Sequence, residues 1–181
     1  MGRAKSLLKA GEETFLERAI RTLRAGGCEE IVVVLNEPDA QISDLTSGAG
    51  GRAAAGSGSD SEQIESLRAG LRALPREAEA VVVMPVDHPL VRPTTVALLI
   101  GGYRSSTPSI VRVVYEERHG HPVLFASSVF DELLHGPDSE GARSVIRAHR
   151  ESTAEIEVDD PGVVIDVDTP EDYERHIGGH G

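Results

Sequence analysis

Two short segments of the chain are apolar at every position, and they restrict the fold more than any other feature of the sequence. Residues 31–35 and 80–84 contain only Val, Ile, Leu, Ala and Met. A strand with one face in water alternates apolar and polar residues, whereas a strand covered by helices on both faces is apolar throughout. Residues 30–35 and 80–84 are therefore predicted to be inner strands of a parallel sheet.

Helical patterns lie between the apolar strands. A capping box at Thr14 and Glu17 opens one predicted helix, and leucines at helical spacing in residues 64–74 predict another. Residues 163–167 are a third apolar segment and are predicted to join the same sheet. Strands that alternate with helices predict an α/β three-layer fold with a largely parallel sheet, and we interpret residues 1–181 as one domain.

Other segments have weaker patterns. Residues 46–61 are rich in Gly, Ser and Ala, so a mobile surface loop is expected there. Residues 154–158 alternate in polarity and are predicted to form an edge strand. Thr169 followed by Pro170 predicts the start of a final helix, with the threonine as its cap.

Charge and composition exclude several classes of function. A net charge of −12 argues against a nucleic-acid partner, because proteins that bind nucleic acids carry a basic surface. The single cysteine, Cys28, excludes an internal disulfide and a cysteine cluster for zinc. No apolar run reaches the roughly 18 residues of a membrane span, and no secretory signal pattern opens the sequence. A cytoplasmic protein without a membrane partner is expected.

A lone carboxylate stands where the second apolar strand ends. Asp87 follows residues 80–84 and lies between Pro85 and Pro89. Ligands of open α/β sheets gather at the carboxyl ends of the strands. A carboxylate there suits Mg²⁺, which takes one or two carboxylates together with the phosphates of a substrate. The alternative is that Asp87 only caps the turn between the two prolines.

Two further carboxylates end the apolar segment 163–167. Asp166 and Asp168 are two residues apart, which places them on the same face of a strand. One of them is expected to share a Mg²⁺ ion with Asp87 across the sheet. The alternative for Asp168 is a role at the start of the following helix, beside Thr169.

Six segments in series resemble the MobA-like nucleotidyltransferases, and among these most closely the molybdenum-cofactor cytidylyltransferases. They cover nearly the whole chain and read MGRAKSLLKAGEETFLERAIRTLRAGG, SLRAGLRAL, VVVMPVDHPLVRPTTVALLI, HGHPVLF, DSEGARSVIRAH and VVIDVDTPEDY. The resemblance implies a Rossmann-like, glycosyltransferase-A-like fold. It also implies Mg²⁺-dependent transfer of CMP or GMP from CTP or GTP to a phosphorylated acceptor, molybdopterin above all, with release of pyrophosphate. A molybdoenzyme or its chaperone is an implied partner.

The resemblance also implies residues of a nucleotide and metal site. Asp87 stands at the position of the metal-binding aspartate, with Asp166 and Asp168 as further metal ligands. Lys5 stands at the position of a lysine that contacts the nucleotide phosphates, where a flexible point charge suits a leaving pyrophosphate. Lys5 and Asp87 are the catalytic candidates. Nucleotide binding is expected from Gly2, Lys5 and Ser66.

A second group of residues is implied for the acceptor side. Gly120 and His121 resemble the loop that lines the acceptor, where a glycine allows close backbone approach. Arg143 resembles an arginine whose guanidinium can hold an acceptor phosphate. Taken alone, His121 also fits a structural hydrogen bond, Arg143 a surface salt bridge, and Lys5 a solvated residue near the start of the chain.

The resemblance is incomplete at the start of the sequence. The family opens with a buried strand and a glycine-rich turn, whereas this sequence starts inside that turn, at Met1 and Gly2. The expected consequences are an N-terminally truncated fold with two unpaired sheet edges and weak binding of the nucleoside triphosphate. Glu62 also stands where relatives usually carry glycine, and a carboxylate there repels a nucleotide.

Three functional hypotheses remain open from the sequence. The first is a Mg²⁺-dependent cytidylyl- or guanylyltransferase that acts on molybdopterin. The second is a non-catalytic family member that serves as a cofactor-binding or chaperone module, which the missing loop favours. The third is a nucleotidyltransferase for another phosphorylated metabolite, such as a sugar phosphate or phospholactate.

Overall fold

The computed structural model describes residues 5–58, 63–137 and 141–178. The strands are β1 (Lys9–Ala10), β2 (Glu13–Thr14), β3 (Val32–Leu35), β4 (Arg52–Ala55), β5 (Ala80–Val83), β6 (Ile110–Tyr115), β7 (Arg118–Ala126) and β8 (Thr153–Glu157). The helices are α1 (Phe15–Ala25), α2 (Ala40–Gly48), α3 (Gln63–Ala73), α4 (Pro93–Ser106), α5 (Phe130–His135), α6 (Ala142–Ala148) and α7 (Pro170–Tyr173). Short 3₁₀ helices cover Lys5–Leu7, Ser127–Val129, Arg150–Ser152 and Pro161–Val164, and a π-helical turn covers Glu174–Gly178.

The larger strands form two separate sheets. One contains β3 and β4, and the other has the order β5-β7-β6-β8. β4 runs parallel to β3 and β8 runs parallel to β6, but β7 runs antiparallel to both of its neighbours. The predicted α/β class is confirmed; the β3–β4 sheet is parallel, whereas the four-stranded sheet is mixed rather than largely parallel.

The direction of β7 follows from the short connection before it. Only Glu116 and Glu117 separate β6 from β7, and their φ angles are 46° and 63°. Two successive residues with positive φ form a type I′ turn, which joins antiparallel strands. Such turns normally carry Asn or Gly, so a Glu–Glu dipeptide does not predict a hairpin.

Helix α3 covers one face of both sheets. Its Leu71 belongs to a buried cluster against which Val81 of β5 packs. Gly70 of the same helix lies against Val34 of β3. The two sheets are therefore held side by side by a shared helix.

Helices α1 and α4 cover the opposite face. Gly26, at the end of α1, lies against Val96 of α4 so closely that a side chain at this glycine would clash. Leu23 and Cys28 each pack against two buried clusters, one on the β3 side and one on the β5 side. Helices on both faces confirm the predicted three-layer architecture.

The two apolar strands each have an open edge. In the part of the chain that the structure describes, β3 pairs only with β4, and β5 pairs only with β7. Every residue of 32–35 and of 80–83 is partly exposed, although their sequences predict burial on both faces. The expected pair of unpaired sheet edges is thus observed for the described residues.

The predicted loop at residues 46–61 is wrong in part. Helix α2 extends to Gly48, and residues 52–55 form β4, in parallel register with residues 32–35. Arg-Ala-Ala-Ala has little intrinsic strand preference. Pairing with β3 therefore determines this strand, and the composition of the segment does not reveal it.

The third predicted strand, residues 163–167, is also wrong. Pro161–Val164 form a 3₁₀ helix, because the carboxylate of Asp160 accepts the Gly162 N–H at 3.1 Å and caps the turn. Val163 is fully buried. The apolar pattern here belongs to an irregular segment packed into the core.

Several local predictions are confirmed. Thr14 and Glu17 form the capping box of α1, and β8 lies at the edge of its sheet. Thr169 caps α7, with Pro170 in the first turn. Among the described residues, no helix combines the length and the apolar character that a membrane crossing requires.

Candidate active site

Asp87 lies directly beyond the carboxyl end of β5. Its backbone carbonyl accepts the N–H of Val167 at 2.8 Å, which brings residues 166–168 beside it. Within the described residues, its carboxylate accepts no hydrogen bond from a backbone N–H. Oδ2 faces Lys5, and Oδ1 is buried without a partner. These contacts favour a site role for Asp87 over the turn-capping alternative.

Lys5 lies between two of the predicted metal ligands. Its Nζ is 3.7 Å from Asp87 Oδ2 and donates a hydrogen bond to Asp168 Oδ1. The 3₁₀ turn that carries Lys5 is held by Leu7, which packs against the buried cluster beside β3. The two carboxylates therefore lie at the same end of the sheet, on either side of one ammonium group.

The charges of this cluster shift the pKa of Lys5 and of Asp168. Burial lowers the Lys5 pKa, but the hydrogen bond with Asp168 and the charges of Asp168 and Asp87 outweigh it and raise that pKa above its ordinary value. The hydrogen bond from Lys5 lowers the pKa of the Asp168 carboxyl. Each partner thus favours the charged form of the other.

Asp166 and the start of α7 border the same cluster. Asp166 is exposed and lies close enough to Asp168 to contribute to its lowered pKa. The Asp168 carboxylate is directed to Lys5, while Thr169 and Asp172 form the capping box of α7. The helix start is satisfied by these neighbours, so Asp168 is available to the site.

The donor set fits a divalent cation that is shared with a substrate. Among residues 5–58, 63–137 and 141–178, no group of three or more His, Cys, Asp or Glu side chains is placed to hold an ion. Mg²⁺ in nucleotide sites needs only one or two carboxylates, because phosphate oxygens and water complete its coordination. Asp87 and Asp168 supply these two carboxylates. Asp87 has a buried Oδ1 without a partner, and Asp168 lies on the other side of Lys5.

Two histidines lie behind Asp87. His88 Nε2 is 4.0 Å from Asp87 Oδ1, and the ring centroids of His88 and His121 are 5.0 Å apart. Burial, and then the neighbouring His88, lower the pKa of His121 to about 4, so its imidazole is neutral near neutral pH. The predicted acceptor residue His121 is therefore one side chain away from Asp87.

The other two predicted acceptor residues have different surroundings. A side chain at Gly120 would clash with the backbone carbonyl of Val163, so this glycine lets the segment that leads to Asp166 pack against β7. Arg143 is exposed in the first turn of α6. No described residue forms a salt bridge with it, and no contact joins it to Lys5 or Asp87.

Ser66 marks a second polar group, at the carboxyl end of β3. Its hydroxyl donates to Asn36 Oδ1 at 3.1 Å, and Gly56, just beyond β4, leaves room for the Asn36 side chain. These residues gather where β3 and β4 end, as the ligand sites of open α/β sheets do. The remaining nucleotide-side expectations, at Gly2 and Glu62, lie outside the described residues.

Sequence reasoning missed three polar residues of this region. Asn36 directly follows the last apolar residue of β3, and this position at a strand end could have indicated a site residue. His88 is the immediate neighbour of Asp87. Arg112 is the single charged residue of β6, and its Nε is buried without a hydrogen-bond partner.

The fold and the site together define a class of protein. A lysine between carboxylates at the end of one strand, with a polar group at the end of another, suits a nucleoside triphosphate and its cation. A sheet covered by helices on both faces completes the Rossmann-like nucleotidyltransferase architecture. Residues 1–153 match the MobA-like NTP transferase domain, and the chain belongs to this family. The resemblance seen in the sequence is thereby confirmed, and the chain is an enzyme of the nucleotidyltransferase class.

Several relatives share most of their length with this chain. A phosphoenolpyruvate guanylyltransferase of Rubrobacter xylanophilus is 29% identical over 161 residues, which span 88% of this chain and 76% of the relative. The crystal structure of Rv0371c from Mycobacterium tuberculosis H37Rv in complex with manganese has a TM-score of 0.80 at 27% identity, over 98% of this chain and 94% of that one. The molybdopterin-guanine dinucleotide biosynthesis protein A of Archaeoglobus fulgidus, at 17% identity and a TM-score of 0.67 over 98% of this chain and 90% of that one, shows a shared fold.

Proposed function

We propose that this chain, acting as one domain, transfers GMP or CMP from the nucleoside triphosphate to the phosphate of a small phosphorylated acceptor, with Mg²⁺ as the cation. One observation carries the proposal: the Lys5 ammonium lies between the carboxylates of Asp87 and Asp168 at the carboxyl end of β5. A triphosphate requires positive charge against its oxygens and oxygen ligands for its cation, and this cluster offers both.

The proposed reaction depends on positioning of the substrates rather than on proton transfer by a protein group. An oxygen of the acceptor phosphate attacks the α-phosphorus, the bond to the β-phosphate oxygen breaks, and pyrophosphate leaves with the electron pair. The attacking oxygen is already ionised near neutral pH, so no protein base is required. Lys5 neutralises charge on the leaving pyrophosphate. Asp87 and Asp168, with Asp166 as a further ligand, would hold the cation, which when bound would supply further charge neutralisation.

We assign the nucleoside half of the substrate to the carboxyl end of β3. The Ser66 hydroxyl donates to Asn36 Oδ1, which leaves the two amide N–H groups of Asn36 to donate to a base or a ribose. Gly2 precedes Lys5 by three residues in the sequence, and the family resemblance assigns it to nucleotide binding. The nucleotide would then cross the open edge between β3 and β5.

We assign the acceptor to the other side of Asp87, at Gly120, His121 and Arg143. Phosphoenolpyruvate with GTP is the first acceptor and donor to test, because the guanylyltransferase relative is 29% identical to this chain. Molybdopterin with CTP or GTP is the second. It is supported by the resemblance of HGHPVLF and VVIDVDTPEDY to the molybdenum-cofactor branch of the family.

The proposal is tested by pyrophosphate release, measured for GTP and CTP with each acceptor in Mg²⁺ and in Mn²⁺. We expect turnover of at least one pair. Lys5→Met and Asp87→Asn should lower kcat/KM by about 10²–10³-fold, the loss typical of one preorganised charge. Lys9→Met and Asp44→Asn remove the same charges from exposed positions and should keep the wild-type rate.

Two outcomes contradict this proposal. One is the absence of pyrophosphate release with every pair by wild-type protein that binds nucleotide. The other is an equal loss of rate in the site variants and in the exposed control variants, because net charge alone would then explain the effect.

A further inference from the structure

A cluster of unpartnered polar atoms extends from Asp87 into the four-stranded sheet. In the part of the chain that the structure describes, the buried side-chain nitrogen and oxygen atoms without a hydrogen-bond partner are Asp87 Oδ1, His88 Nδ1, Arg112 Nε and His121 Nδ1. His88 lies beside both Asp87 and His121, and Arg112 is close enough to His121 for its charge to act on the imidazole. Buried polar atoms without partners are rare in native proteins, so a group of them indicates a missing partner.

Arg112 is the permanently charged basic member of this group, and among the described residues no carboxylate lies within ion-pair distance of it. Glu155 of β8 is its partner in strand register. The Glu155 carboxylate is instead bound by His119 Nε2 at 2.6 Å. Burial lowers the pKa of Arg112, and the charge of Glu155 opposes this effect. Arg112 is thus half-buried, is influenced by the charge of Glu155 without forming an ion pair with it, and keeps a buried Nε without a hydrogen-bond partner.

The chemistry of the group selects an anion as the missing partner. Arg112 carries a permanent positive charge, and the neutral imidazole of His121 has one N–H group that can donate to an anion. The His88 side chain is only 10% exposed and lies close to both Asp87 and His121. A guanidinium presents N–H groups in a planar fork that matches the two oxygens of a carboxylate.

We propose that Arg112 and His121 bind a carboxylate of the acceptor, so that the acceptor is a phosphorylated carboxylic acid. Its phosphate lies toward Lys5 and Asp87, and its carboxylate lies deeper, against β6 and β7. This inference rests on the proposed function, because that function places the acceptor phosphate beside Asp87. It assigns a specificity role to Arg112, a residue that the nucleotide reaction itself does not use.

The test measures acceptor binding in the absence of nucleotide, by calorimetry of the full chain. The probes are phosphoenolpyruvate and dihydroxyacetone phosphate, which both carry a phosphate monoester but differ in the carboxylate. Wild-type protein should bind phosphoenolpyruvate about ten- to hundredfold more tightly, the range for hydrogen bonds to a charged group. Arg112→Leu should reduce this preference to within about threefold, and Arg112→Lys should keep part of it.

The control is Arg104→Leu, which removes the same charge from an exposed position of α4 and should keep the preference. If Arg112→Leu does not fold, as judged by circular dichroism, the readout is the ¹⁵N resonance of Arg112 Nε in wild-type protein. This resonance should shift with phosphoenolpyruvate and stay in place with dihydroxyacetone phosphate.

Three results would overturn the inference. They are equal binding of the two probes by wild-type protein, an unchanged preference in Arg112→Leu, and equal weakening of both probes in that variant. The last result would assign Arg112 to the phosphate. A failed transfer assay together with an intact carboxylate preference would refute the proposed function and leave the anion site. Transfer to acceptors without a carboxylate, together with equal binding of the two probes, would support the proposed function and refute the carboxylate site.

Discussion

Replacing Asp160 with alanine should destabilise the protein strongly, although this residue lies outside the proposed reaction. Asp160 is only 2% exposed. Its Oδ2 accepts hydrogen bonds from the Arg92 N–H at 2.9 Å and from the Thr95 hydroxyl at 2.6 Å, and its Oδ1 accepts the Gly162 N–H at 3.1 Å. One carboxylate therefore caps the start of α4, where Arg92 supplies no side-chain cap, and also the 3₁₀ turn that follows Asp160.

The expected loss can be worked from these contacts. A hydrogen bond to a charged group contributes about 1.5–3 kcal/mol, but the three bonds share one carboxylate and do not add. Removing the carboxylate leaves three donors without an acceptor, at about 1–3 kcal/mol for each buried donor and less than additively, so about 3–5 kcal/mol in total. Asp160→Ala should lower the free energy of unfolding by that amount, and Thr95→Val, which removes one donor, by about 1.5–3 kcal/mol.

The assay is urea unfolding followed by far-ultraviolet circular dichroism, because the chain has no Trp. Asp159→Ala is the matched control: its carboxylate is exposed, and the change should stay within about 0.5 kcal/mol. A loss below about 1 kcal/mol for Asp160→Ala, at an unchanged urea slope, would refute this reasoning. It would mean that the desolvation of the carboxylate cancels the hydrogen bonds it accepts.

Three further predictions concern stability. In urea unfolding, Gly120→Ala should cost about 1–3 kcal/mol, because its methyl group meets a fixed backbone, whereas Gly101→Ala, in open space on α4, should gain about 0.5–1 kcal/mol. Glu116→Asn combined with Glu117→Gly should raise Tm by about 2–4 °C, since both residues have positive φ; an unchanged Tm would contradict the turn assignment. The folded-state pKa of Glu17 lies below its ordinary 4.5 because a backbone N–H donates to it, so its contribution is present above about pH 4.5 and is lost as the pH falls through the lowered value. Glu17→Gln should therefore weaken the acid dependence of the urea midpoint, and identical dependence in both proteins would contradict this assignment.

The layers of the fold could be predicted from the sequence because they follow from local composition. A segment such as residues 80–84, apolar at every position, requires helices on both faces, and those helices carry their own periodicity and caps. β4 could not be predicted, because Arg-Ala-Ala-Ala becomes a strand only through its pairing with β3. The hairpin at Glu116 was equally hidden, since the positive φ of its two glutamates is imposed by the strands on either side.

The candidate site likewise has residues that the sequence predicts and residues that it does not. Asp87 and Asp168 were predicted because each ends an apolar segment, and Lys5 because its segment resembles the family, and the structure brings their side chains together. Arg112 was not predicted, because a charged residue in a strand normally faces water or pairs with an acid. Its importance depends on Glu155 being bound by another residue, which is a property of the folded molecule.

The open edges of β3 and β5 also have a consequence for hydrogen exchange. Without a hydrogen-bond ladder between these strands in the described residues, the β3–β4 pair is joined to the larger sheet through the packing and side-chain hydrogen bonds of the helices that cover both sheets. Its amide protons should therefore exchange through a partial opening, at a lower free energy than the global unfolding that exposes β6 and β7. Asn36 belongs to this less protected unit, Ser66 lies on the shared helix α3, and Asp87 follows β5 of the larger sheet. A nucleotide that contacts both units would slow exchange in residues 32–35 and 52–55, and the degree of slowing would measure how much of its binding energy closes the two units together.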